Sequence, residues 1–199
     1  MRSAERALIG PNAIIQMTEA LCAHLGAQNT RALLEAVQLD GYLDHPPKNM
    51  VPQAEVVALH RQVWHAVDRA AFQRISADAG RRTADYLLAK RIPRPVQWLL
   101  QRLPDALAAR LLSRAIAQHA WTFAGSGVFR YRWQPQLVYA IQGNPLAAGL
   151  HTEVPVCAYY AATFERLLRI LVNDHWRVVE FACEARGDPA CRFEICAPH

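Results

Sequence analysis

Cys157, Cys183 and Cys191, three of the chain's five cysteines, share a short C-terminal stretch with one acid, Glu180. Thiolates and a carboxylate hold borderline-soft divalent cations, and four such donors close a tetrahedral zinc site. A closed site keeps no position for water, so it braces a fold rather than activating a nucleophile. Its net negative charge could be offset by Arg186 or Arg192 nearby. Cys183 and Cys191 flank Gly187-Asp188-Pro189, a turn sequence, so hairpin closure brings their sulfurs together. Glu180 lies three residues before Cys183, an odd interval that puts the two on opposite faces of a regular strand. Convergence therefore requires a bulge, a strong twist or a strand end. Cys22, on an apolar helical stripe, reads as a small buried residue, and Cys196 stays open between a stray thiol and an alternative ligand. An odd cysteine count argues against a disulfide framework.

The elements that must position these groups follow from periodicity. Ile14, Ile15, Leu21, Cys22 and Leu25 mark a first helix that Gly26 can end. Asn29 and Thr30 can cap a second helix through Val37, and residues 41–52 read as a loop. From Gln53 an amphipathic pattern runs to about Ile75, Ser76 or Asp78 offers the next cap, and Pro93 and Pro95 mark a break. Leu107, Leu111, Leu112, Ile116 and His119 form a further helical face. After Gly125-Ser126-Gly127 the pattern changes. Val128 to Trp133 and Leu137 to Ile141 read as paired strands interrupted by Pro135. Residues 155–172 read as helix, then Trp176 to Cys183 and Cys191 to Ile195 as a second hairpin. This order predicts an α+β class, with helices packed on a mostly antiparallel sheet.

Composition narrows the function classes. The 199 residues are 52% hydrophobic and 20% charged, which fits one folded domain and excludes a disordered chain. No apolar run reaches the ~18–20 residues of a membrane span, and no signal core precedes Leu8. The expected location is the cytoplasm, at most peripheral to a membrane. Net charge is +5, but no run of five like charges occurs, so nucleic acid is not an expected partner. Gly125-Ser126-Gly127 precedes a strand rather than a helix and cannot aim a helix N-terminus at a pyrophosphate. No nicotinamide, flavin, phosphate-loop or nucleophile-elbow motif is found, which leaves any redox activity without a visible hydride source.

The same C-terminal residues carry a resemblance. Cys157, then Glu180-Phe181-Ala182-Cys183 through Gly187-Asp188-Pro189 to Cys191-Arg192-Phe193-Glu194, resembles the signature of the 4-vinyl-reductase domain family, which includes the sensor domains of phenol-responsive transcription activators. The resemblance implies a structural zinc on Cys157, Glu180, Cys183 and Cys191, and a fold that accommodates the awkward interval. It also implies a Bet3-like architecture, commonly dimeric. Here that would comprise an N-terminal helical arm over residues 1–50, available for dimerisation, and a ligand-binding domain over residues 51–199 with the zinc hairpin at its end.

Ile9-Gly10-Pro11-Asn12-Ala13-Ile14, Arg91-Ile92-Pro93 and the stretch from His119 to Gly127 are similar to stand-alone members of that family that serve bacteriochlorophyll biosynthesis. What this implies is a Mg-porphyrin or protochlorophyllide intermediate, held in an apolar pocket and presented to other pathway enzymes. Reduction of the pigment's 8-vinyl group and sensing of a small aromatic ligand are the alternatives. A flat macrocycle needs aromatic faces, cations at the rim and an axial ligand for Mg. His119, Trp121, Phe123, Phe129, Tyr139 and His151 are the residues expected to serve it, His119 first as axial ligand. Arg130 and Arg132 alternate with the strand aromatics and should face the opposite side.

Overall fold

Pro11 opens the first long helix, where its missing N–H leaves nothing unsatisfied. In a computed structural model, which describes residues 7–133 and 136–196, α1 spans Asn12–Leu25 and buries Ala13, Ile14, Met17, Ala20 and Leu21 along one stripe. The expectations for Met1 to Arg6 and for Pro135 lie outside the described residues. Gly26, at φ 81°, ends α1 and starts α2, Ala27–Glu35. Asn29 and Thr30 do not cap α2. They sit inside its first turns, and their side chains donate back to the Leu25 and Gly26 carbonyls at 2.8 Å each.

The stretch expected as a loop holds a short helix α3, Gly41–Asp44, and a strand β2, Val51–Pro52. β2 pairs antiparallel with β1, Leu8–Ile9. Beyond it, the single helix expected from Gln53 to Ile75 is two: α4, Gln53–Ala66, and α5, Arg69–Lys90. The chain turns at Val67 and Asp68, and Asp68 caps α5 by accepting the Ala71 N–H at 2.7 Å. Ser76 and Asp78, expected as caps, lie within α5. A short helix α6, Arg94–Leu100, follows Pro93, then α7, Asp105–Gln118, and α8, Trp121–Ala124.

The main sheet contains β3, Val128–Trp133; β4, Leu137–Gln142; β5, Arg177–Ala182; and β6, Cys191–Cys196. Its order is β3-β4-β6-β5, antiparallel throughout. Helix α9, Ala158–Leu171, lies on the inner face of the sheet, with Tyr160 and Phe164 stacked among Phe129, Tyr139 and Phe193. α5 packs along α9 so closely that a Cβ on Gly80 would overlap the Tyr159 carbonyl oxygen. Thr163 Oγ1 donates to the Gly80 carbonyl at 3.0 Å across the same contact. The α+β class is as the sequence predicts. α1 lies against α5 and α4 and shares one continuous core with the sheet, so residues 7–50 fold into the body of the molecule instead of projecting from it.

Candidate metal centre

The four chemistry-bearing residues of the C-terminal segment come together. One donor atom each from Cys157, Glu180, Cys183 and Cys191 lies within 4.8 Å of all the others, and the three cysteines are buried. Cys157 stands at the start of α9, where the chain turns into the helix. Cys191 opens β6, and Cys183 follows β5 just before a one-turn 3-10 helix, Glu184–Arg186. Gly187, left-handed at φ 91°, then reverses the chain.

The awkward interval is resolved by a bulge. Glu180 pairs with Phe193 and Ala182 with Arg192, so Phe181 is an extra residue on β5. The shift turns Glu180 toward the sulfurs, while the Phe181 side chain points to solvent at 46% exposure.

The geometry suits a cation. Cys157 and Cys191 place their sulfurs 3.5 Å apart, and Cys191 and Cys183 theirs 3.8 Å apart. Sulfurs at the corners of a tetrahedron around zinc, with Zn–S near 2.3 Å, stand about 3.8 Å apart. Glu180 Oε2 accepts the Cys157 N–H at 2.8 Å, and its Oε1 is buried with no hydrogen-bond partner. An orphaned carboxylate oxygen costs free energy unless something positive faces it. Outer contacts complete the cluster. Asn144 Nδ2 donates to Cys157 Sγ at 3.2 Å, the Glu184 N–H to Cys191 Sγ at 3.3 Å, and the Cys183 N–H to Asp188 Oδ2 at 2.8 Å.

The acid–base state shows what burial does to these groups without a cation. Burial pushes the Cys157 thiol well up. Burial, followed by the neighbouring Cys183 sulfur, raises the Glu180 carboxyl to about 9. Cys183 is held far down by hydrogen bonds from the Cys157 and Cys191 thiols. For Cys191, the hydrogen bond with Cys157 lowers the pKa, but the one with Cys183 and burial outweigh it, so the thiol is raised. A divalent cation would take the place of those protons.

Sequence reasoning missed the outer residues. Glu184 accepts the Gly143 and Asn144 N–H groups at 2.6 and 2.7 Å, tying the β4–α9 connector to the metal hairpin. Only the Asn144-Pro145 pair, a turn signal, pointed there. Arg186 reaches Asp188 at 4.0 Å, so its charge lies beside the cluster, whereas Arg192 stands exposed on β6. Cys196 pairs in register with Arg177 and is not one of the four donors. Cys22 is half-buried.

The six residues expected to serve a pigment are not gathered round one cavity. Phe123 packs against Phe129 at 5.6 Å between ring centroids, and Phe129 against Tyr139 at 5.3 Å. Tyr139 is fully buried, and its hydroxyl pairs with Ser113 at 2.8 Å. These rings fill the space between α9 and the sheet. Trp121 is 62% exposed, and His119 and His151 are also exposed, His151 on the connector before α9. His119 has one fixed feature: its Nδ1 lies 2.9 Å from the Ala115 carbonyl oxygen. A carbonyl only accepts, so Nδ1 carries the proton, and a neutral ring keeps its lone pair on Nε2.

Comparison with known proteins places the chain. Residues 137–197, which include all four donors, match the vinyl-4-reductase domain. The chain is 45% identical over 189 residues to the Bacteriochlorophyll synthase 23 kDa chain of Cereibacter sphaeroides, covering 94% of this chain and 89% of that one. It is 39% identical over 190 residues to the protein of the same name in Rhodobacter capsulatus, covering 94% and 86%. The chain belongs to this family of 23 kDa chains. At the level of fold it also resembles a structure from a study of heme distortion in the H-NOX family, at 11% identity, TM-score 0.58 and 96% coverage of both chains. Within the family, the match over residues 137–197 coincides with the part of the fold that the four donors tie together.

Proposed function

We propose that this chain serves bacteriochlorophyll biosynthesis as a zinc-braced binding subunit that holds a Mg-porphyrin or protochlorophyllide intermediate for other pathway enzymes. The observation that carries this reading is the kinship, over nearly the whole of both chains, with the two bacteriochlorophyll synthase 23 kDa chains. Three sulfurs and one carboxylate, buried and closed, favour zinc over harder cations such as Mg2+ or Ca2+, which prefer all-oxygen shells. Cys157, Glu180, Cys183 and Cys191 would hold the ion. When bound, it supplies a structural tie between α9 and the sheet and no reactive position.

Support for the pigment comes from the corner where α7 meets α8. His119 presents a ring whose tautomer leaves Nε2 free, the state an axial Mg ligand needs. Trp121, two residues on, offers an exposed aromatic face. This corner is held from two sides: the Gly10 N–H donates to the Thr122 carbonyl at 2.7 Å, and the Tyr160 hydroxyl donates to the Phe123 carbonyl at 2.7 Å. Phe123, backed by Phe129 and Tyr139, forms the packed wall behind it. His151 lies on a different loop and serves as the internal control.

The test is a titration of zinc-loaded protein with Mg-protoporphyrin and with divinyl-protochlorophyllide, followed by the Soret band, then addition of NADPH. The reading expects a Soret shift without turnover. Loss of the axial nitrogen in His119→Ala should weaken binding about tenfold, while His151→Ala leaves it unchanged. No shift for either pigment, or equal binding by His119→Ala and Trp121→Ala, overturns it. NADPH-dependent loss of the 8-vinyl group would make the chain a reductase instead.

A further inference from the structure

The chain's net charge is not spread over its surface. Residues 90–124, which include α6, α7 and α8, contain six of the 22 lysines and arginines but one of the 17 acids. The rest of the chain balances at 16 of each, so the whole net charge of +5 belongs to this stretch. Lys90, Arg91, Arg94, Arg102, Arg110 and Arg114 are all exposed, and among the described residues none of them forms an ion pair. The single acid, Asp105, is partly screened and accepts a hydrogen bond from Asn173 at 3.0 Å.

The same stretch exposes apolar side chains. Six of the eleven large hydrophobic residues exposed among the described residues are Val96, Trp98, Leu99, Leu107, Leu111 and Trp121. On α7 the pattern is regular. Ala108, Ala109, Leu112, Ser113 and Ile116 face the core, while Leu107, Arg110, Leu111 and Arg114 share the opposite face at spacings of three and four residues. An ordinary surface helix turns a polar, mixed-charge face outward. This one turns leucines and unpaired arginines outward and no acid. Arg102 lies over the Trp98 ring at 4.3 Å, which leaves its guanidinium edge free to donate.

We propose that the α6–α8 face docks on the surface of an anionic lipid bilayer. Leucines, valine and tryptophans without partners gain from entering the boundary between headgroups and acyl chains, and arginines among them meet lipid phosphates. A nucleic acid would use the arginines but leave the aliphatic side chains in water. A zwitterionic bilayer would use the apolar groups but leave the charges without counterparts. An anionic bilayer answers both. No helix among those described is long and apolar enough to cross a membrane, so the contact is interfacial.

The test is flotation of the full zinc-loaded chain with vesicles, read alongside tryptophan emission. Vesicles of phosphatidylglycerol and phosphatidylcholine should carry the protein at ~0.05 M salt and release it at ~0.5 M, with a blue shift of tryptophan on binding. Pure phosphatidylcholine should bind at least tenfold less. Each arginine near the surface contributes about a fivefold factor, so Arg110→Gln with Arg114→Gln should weaken binding about 25-fold. Leu107→Ser with Leu111→Ser should abolish the blue shift. These positions are exposed, and unchanged melting of each variant excludes misfolding as the cause. Failure to float with the anionic vesicles overturns the proposal. So does vesicle binding indifferent to the leucine replacements, or stronger binding to double-stranded DNA that ignores them. The vesicles contain no pigment, so this outcome is separate from that of the pigment titration.

Discussion

Glu180 reaches the three sulfurs because β5 carries one residue more than its partner between Glu180 and Ala182. If that carboxylate completes the ion's shell, Glu180→Gln keeps the shape and the acceptor for the Cys157 N–H but removes the charge. Zinc affinity should fall by more than the 10–100-fold typical of losing an outer hydrogen bond. Asn144→Ala removes such an outer bond and should fall inside that range, whereas Arg192→Ala should change nothing, all read by competition with a chromogenic chelator. Residue types and intervals made the four donors legible in the sequence. The bulge was not, because alternation along one strand cannot show that its partner is a residue shorter. By type and spacing His60 is an ordinary helical residue, yet it is 1% exposed with Nε2 unpartnered. Burial lowers its pKa from 6.5 to about 4, against a smaller opposing effect of the Ala13 backbone. The unfolded chain takes up a proton near pH 6.5 and the folded chain only near 4, so stability is intact above that window and is lost as pH falls through it. The loss totals about 3 kcal/mol, roughly 2 of it by pH 5. Urea midpoints at pH 7 and pH 5 should show a smaller difference for His60→Leu than for the parent chain.

At the scale of elements, the close approach of α5 to α9 rests on the hydrogen atom of Gly80. Backbone meets backbone there, so the neighbour cannot swing away as a side chain would. Gly80→Ala should therefore destabilise the fold by about 1–3 kcal/mol through overpacking, despite the better helix propensity of alanine, and this is read as a lower urea midpoint. The sequence showed α5 only blurred into α4, because the apolar period runs on through both helices and Asp68, an ordinary surface acid by type, carries the break as a cap. β1 and β2 were missed for a similar reason: two-residue strands are too short to display a period. The second hairpin and the first were legible, since strict alternation of Phe129, Tyr131 and Trp133 with arginines has no helical equivalent.

For the whole molecule, the four donors join segments that the chain would otherwise hold together only through packing. Cys157 belongs to the start of α9, Glu180 to β5, Cys183 to the connector and Cys191 to β6. Glu184 extends the tie to Gly143 and Asn144 at the end of β4. Structural zinc contributes about 10–16 kcal/mol in folded peptides, while whole domains are stable by only about 5–15 kcal/mol. Even a fraction of that binding energy decides whether residues 137–196 stay docked. Among the described residues the first half has no such tie, but α1, α4 and α5 bury a continuous apolar core of their own. Cys183→Ser or Cys191→Ser, and a strong chelator acting on the parent chain, should therefore lower the melting temperature by about 10 °C or more. Hydrogen exchange should show where the loss begins. Amides of β4, β5, β6 and the first turn of α9 should lose protection before those of α1 and α5, because the sheet's far end would then open as a unit while the helical layer remains. Simultaneous loss across all these elements, or no loss at all on chelation, would show that the ion does not hold this end of the sheet.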